Sequence, residues 1–295
     1  MALQALTEGV RLIAKPVHAA YFPYPIAPTI HAARISIAYQ ANARAANVGT
    51  NGKLSWPTYI AGYLVMAWGG TVITHTLLQL PPPMLYSAAP YVIYLSTHLA
   101  LTLLFGVFST LLSPPFLAFL DTILFPLDAL VRVGAVTGTI AHLAPGSTWV
   151  NPVLTASPIT HLIIGALASS GGGISASTLS TWSQNWSFST PPILRAPTLV
   201  AFWWASMDVW GGALVAAVHG TMMGHEAFWS VRELIGGLGV ERLFGIGKDG
   251  NGLALEPVDA KAFCAATLTF CFGLRVYKVH WAPALAKEST KTKSQ

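Results

Sequence analysis

Long runs of apolar residues, cut by short polar breaks, dominate the pattern along the chain. Six runs are strong: Trp56–Leu80, Ala89–Leu112, Phe116–Ala141, Pro158–Trp182, Pro197–Met223 and Val258–Trp281. Each reaches or exceeds the roughly 20 residues needed to cross a hydrocarbon layer as a helix. A seventh run, Ile26–Ala46, is interrupted by His31, Arg34 and Gln40. It reads either as a span or as an amphipathic helix lying in the interface. The breaks carry turn chemistry: Asn51-Gly52, Pro81-Pro82-Pro83, Pro114-Pro115, Pro145-Gly146 and Pro191-Pro192. A proline lacks the amide hydrogen and clashes with the preceding turn, so each cluster stops a helix. The segment Glu226–Glu256 is the longest polar loop expected.

The pattern predicts an all-α membrane protein with seven transmembrane helices. Residues 1–25 form an N-terminal segment, residues 26–281 the membrane domain and residues 282–295 a polar C-terminal tail. Composition agrees. Only 9% of the 295 residues are charged and 53% are hydrophobic, whereas a soluble domain carries about a quarter charged residues. The net charge of +5 is spread along the chain. It forms no basic stripe with aromatics, which excludes nucleic acid as the expected partner. Glu8, Arg11 and Lys15 interrupt the first twenty residues, so no cleavable signal peptide is expected. Cys264 and Cys271 stand seven apart in one run, about 10 Å along a helix and too far for a disulfide.

The chain also repeats itself. A shift of 103 residues places Gly62 on Gly165, Leu64 on Leu167, and Gly69-Gly70 on Gly172-Gly173. Arg34 in the first span corresponds to Arg132 in the fourth. The repeats cover 26–112 and 116–223, and a seventh helix covers 258–281. Three helices is an odd number, so successive units enter the membrane from opposite sides as an inverted pair, a plan common in transport proteins. The glycine groups, Gly69, Gly70 and Gly171, Gly172, Gly173, have two readings. They pack helices closely, or they interrupt them and free carbonyls toward water or ions. Hydroxyls follow both groups: Thr71 and Thr74 in one half, Ser175, Ser177 and Thr178 in the other. That clustering favours a water-lined path.

Few charges lie within the spans. Asp121, Asp128 and Arg132 fall within about 40° on one helix face. Asp128 precedes Arg132 by four residues, the favourable order for an ion pair. The pair either eases insertion or forms an interior ion or headgroup site. Arg34 has no carboxylate near it in sequence. Asp208 stands alone and requires a partner from another helix, with Arg34, Arg132 and Lys261 as candidates. Lys261, Arg275 and Lys278 are expected to snorkel at helix ends. His75, His98, His142, His161 and His219 are scattered singly, with no HExxH and no CxxC, so neither a metal cofactor nor an enzyme is expected.

These residues resemble one family, the trimeric intracellular cation channels, across about 21–281. Gly69-Gly70 and Gly171-Gly172-Gly173 are similar to its glycine kinks in helices two and five. Leu77-Leu78, Pro81-Pro82-Pro83 and Leu85-Tyr86 resemble the segment that joins helices two and three. Ala129-Leu130-Val131-Arg132-Val133 resembles its basic fourth-helix region, and Lys261-Ala262 through Arg275-Val276 resembles helix seven. The resemblance implies a homotrimer with one pore per subunit, conducting potassium in the endoplasmic reticulum or another intracellular membrane, as counter-ion flow for calcium release. It also implies phosphoinositide bound at the fourth helix. Here the family's lysine position is Asp128 and its glutamate position is Ala129, which weakens that last expectation. The lysine and arginine balance of the loops favours a cytoplasmic C-terminus and leaves the Asn185-Trp186-Ser187 sequon unmodified. A secondary transporter and a non-conducting membrane scaffold or lipid-binding protein remain the alternatives.

Overall fold

The computed structural model describes residues 2–47, 54–237 and 255–282. The turn expected at Asn51-Gly52 and the tail beyond residue 282 lie outside them, as does residues 238–254 of the long loop.

The chain opens with an amphipathic helix, α1 (Ala2–Ile13), and a small antiparallel hairpin, β1 (Pro16–His18) and β2 (Phe22–Pro25). The hairpin is the one departure from an all-α reading among the described residues. Its turn is held by His18, whose Nδ1 accepts from the amides of Ala20 and Tyr21. The remaining elements are helical: α2 (Ile26–Ala46), α3 (Trp56–Leu77), α4 (Ala89–Val107), α5 (Pro114–Ile140), α6 (Pro152–Thr155), α7 (Pro158–Leu179), α8 (Leu199–Ala205), α9 (Met207–Met222), α10 (Trp229–Gly237) and α11 (Pro257–Val276). The helix α10 occupies part of the segment read as a polar loop.

The starts follow from local chemistry. Ser55 and Ser157 cap α3 and α7, accepting from the amides of Thr58 and Thr160, and Pro57 and Pro158 stand in the first two positions of these helices. Proline in the first turn costs little there, because those amides have no partner within the helix in any case. At the far end of α3, Gln79 adopts φ 58° and the Leu80 amide reaches back to the His75 carbonyl at 2.8 Å. That six-to-one bond closes the helix.

Among the described residues, four helices are long and apolar enough to cross a membrane: α3, α4, α7 and α11 with its continuation to Trp281. The pair α8 and α9 passes the same test together, although Ser206 separates them and they differ in direction by 66°. The sixth apolar run is therefore bent, which its hydropathy did not reveal. The helices α2 and α5 are 21 and 27 residues long, but their polar residues place them outside that set.

The glycine groups pack helices rather than interrupting them. Both α3 and α7 run unbroken through their glycines. Gly70 and Gly171 meet face to face: a Cβ on Gly171 would sit 2.8 Å from the Gly70 Cα, and one on Gly172 would overlap the Met66 carbonyl oxygen. Gly62 lies against the Thr181 carbonyl, so the two helices run antiparallel. The same device joins α7 to α9, where Gly165 and Gly212 each approach the other's carbonyl.

Two apolar clusters result. One joins Ala129, Val133 and Val136 of α5 to Val215 of α9 and to Leu268 and Phe272 of α11. The other joins Ile35 and Tyr39 of α2 to Tyr63 and Ala67 of α3. In the latter, His98 of α4 stacks on Tyr63 at 3.8 Å and bonds Ser36 Oγ.

Candidate functional site: a charged cleft

Between α2 and α5, floored by α7 and the start of α9, lies an open cleft of about 850 Å³. Its walls are mainly apolar, with Ile30, Ile37, Leu117 and Leu124 among them. Its floor is polar, carrying Ser169, Ser170 and Ser177 of α7.

A chain of charges crosses the cleft. Arg34 Nε of α2 meets Asp128 Oδ1 of α5 at 2.7 Å. Arg132 Nη2 lies 3.7 Å from Asp128 Oδ2 and 3.4 Å from Asp208 Oδ1 of α9. Arg275 Nη1 of α11 donates to Asp208 Oδ1 at 3.0 Å. Four helices thus contribute one guanidinium–carboxylate series, Arg34–Asp128–Arg132–Asp208–Arg275. Arg132 also donates through Nη1 to the Ser169 carbonyl at 2.6 Å, and Ser169 Oγ donates to the Asp208 carbonyl at 2.6 Å. Phe272 supports both flanking arginines, with Arg132 and Arg275 at 5.2 and 4.5 Å from its ring centre. Cations over an aromatic face are attracted by its quadrupole. The Arg132 side chain is 8% exposed, and its Nε is buried without a hydrogen-bond partner among the described residues.

Alternation of two unlike charges explains why so many ionic groups share a low-dielectric place. Each inner group faces opposite charge on both sides, which offsets its loss of hydration. A second pair, His280 Nε2 with Asp121 Oδ2 at 2.9 Å, stands along the same cleft.

The residues expected to line a path, and the charges expected to form a layer or headgroup site beside it, divide into two sets. Arg34, Asp128, Arg132, Asp208, Gly173 and Ser177 line the cleft. Gly69, Gly70, Gly171 and Gly172 instead lie at the crossing of α3 and α7, where the gap between backbones is filled. Thr74 is fully buried and bonds the Gly70 carbonyl of its own helix at 2.9 Å. Ser175 bonds the Gly171 carbonyl at 2.7 Å. Hydroxyls back-bonded in this way have spent their donors. Thr71 and Thr178 do not line the cleft either.

Arg34 takes its carboxylate partner from another helix, α5, as a lone charge within a span requires. One expectation about charges changes. Arg275 does not snorkel outward; its side chain is 19% exposed and bound to Asp208. A sequence signal was present, since Phe272 precedes Arg275 by three residues and shares its helix face. Ser169 and the break at Ser206 had no such signal. The histidines also form pairs, His75 with His142 and His161 with His225, where sequence spacing had shown them apart.

Comparison with family models, with curated proteins and with solved structures gives no match.

Proposed function

We propose that this chain is a potassium-permeable cation channel of the trimeric intracellular cation channel type, and that the cleft is its path. The observation that carries the reading is the ion-pair series itself. Charges inside a membrane domain are costly and mark ion pathways by default, and this series brings four of its five members, Arg34, Asp128, Arg132 and Asp208, onto an open cleft. The lining favours cations: Asp121, Asp128 and Asp208 stand against Arg34 and Arg132. In the closed form, Arg34 and Arg132 bar the path while paired to Asp128.

The seven-helix, inverted-repeat plan belongs to this proposal. Two observations support it. The matched glycine groups of α3 and α7 meet each other in antiparallel helices, as a two-fold axis in the membrane plane demands. The matched arginines Arg34 and Arg132 share one carboxylate, Asp128. On this reading α2 and α5 are the first and fourth spans, their polar faces turned inward. The homotrimer, the endoplasmic reticulum or another intracellular membrane, counter-ion flow for calcium release and the cytoplasmic C-terminus come with the family resemblance. Phosphoinositide would meet Asp128 where a lysine is expected.

A secondary transporter is the second reading. It is favoured by the bend at Ser206, which sets Asp208 in the first turn of α9. Transporters place coupling ions at such discontinuous helices. The test is purified protein in planar bilayers with asymmetric potassium chloride. Discrete currents that reverse near the potassium potential are expected. Saturating solute flux coupled to pH, without unitary events, would establish the transporter. Absence of both current and solute flux over a range of voltage, calcium and pH would sink both readings.

A further inference from the structure

The histidine pairs are independent of the cleft. They differ in what their ring nitrogens are free to do. His225 is fully committed: Nε2 bonds the Leu143 carbonyl at 2.8 Å, and Nδ1 accepts from the Ala227 amide at 3.2 Å. It has no lone pair to offer, so the His161–His225 pair is structural.

The His75–His142 pair is different. The rings are 5.5 Å apart and meet edge to face at 73°. His75 Nδ1 bonds the Thr71 carbonyl at 2.9 Å. A carbonyl only accepts, so the proton is on Nδ1 and the Nε2 lone pair is open. That is the arrangement by which metal-ligating histidines are oriented, their second nitrogen donating to a backbone carbonyl. His75 also stands on a rigid base, since its own carbonyl closes α3 through the Leu80 amide. His142 comes from a different element, the single turn Ala141–Leu143 that follows α5. It is exposed to water and makes no hydrogen bond among the described residues.

We propose that His75 and His142 form a two-histidine binding site for a divalent transition metal of zinc type. Neutral imidazole suits zinc, copper and nickel, whereas hard cations such as calcium require oxygen ligands. No group of three or more histidine, cysteine or acidic residues capable of holding a metal occurs among the described residues. The remaining coordination positions therefore go to water, and the metal exchanges rather than serving as a permanent structural ion. Bound metal ties the end of α3 to the turn after α5.

The test uses full-length, tag-free protein in detergent, stripped of metal and titrated with zinc chloride. Calorimetry should show one zinc per chain with affinity on the order of micromolar, and zinc should raise the melting temperature. His142→Ala should weaken binding at least tenfold and abolish the thermal shift. Because His142 is exposed, that variant keeps the fold. His142→Cys should restore binding, with cadmium now preferred over zinc. Adding His75→Ala to His142→Ala should weaken binding no further. Absence of zinc binding to the parent protein, or undiminished binding by His142→Ala, would overturn the proposal. None of these readouts requires the protein to conduct.

Discussion

Asp128 is the residue on which the cleft turns. It is 8% exposed and holds two arginines from different helices, one per oxygen. Removing one member of a buried ionic set leaves its partners desolvated and unpaired, at a cost of roughly 3–5 kcal/mol. Asp128→Asn should therefore lower the melting temperature in detergent markedly. Asp121→Asn is the control. Its side chain is 41% exposed and, among the described residues, pairs with His280, so about 1 kcal/mol or less is at stake. Equal losses from both variants would show that the series is not what holds α2 to α5. The Asp128–Arg132 pairing was legible from spacing, because residues four apart on a helix are neighbours. The partners of Arg34 and Asp208 were not, since they come from helices far away in sequence.

Among the elements, α7 shows how neighbouring glycines take different roles. Gly171 and Gly172 face α3, where a side chain has no room. A Cβ on Gly173 meets nothing within 4 Å, and Gly173 lines the cleft. Gly172→Leu should destabilise the fold by about 1–3 kcal/mol or more through overpacking, measured by thermal unfolding. Gly173→Leu should leave stability near the parent's and reduce potassium current in bilayers, because its side chain projects into the path. The reverse pattern would place the path at the α3–α7 crossing. From sequence, close packing and helix interruption both explained these glycines. The backbone settled it: glycine was used for approach, and the bend went to Ser206, where no glycine or proline signals it.

At the scale of the molecule, one prediction tests assembly. Cross-linking of purified protein in mild detergent should end at a trimer, and a monomer or dimer would contradict what the family resemblance implies.

The presence of helices long and apolar enough to cross a membrane was decided by sequence alone. A bilayer's thickness demands about 20 apolar residues in a row, and that is a property of the one-dimensional pattern. Helix starts were likewise legible, because caps and prolines act on neighbouring amides. The tertiary structure alone decided where the polar residues meet. Whether a hydroxyl bonds its own helix, a glycine admits a neighbour or an arginine finds a carboxylate depends on which helices face each other. The cleft consequently lies between α2 and α5, beside the glycine crossing that the sequence pointed to and not within it.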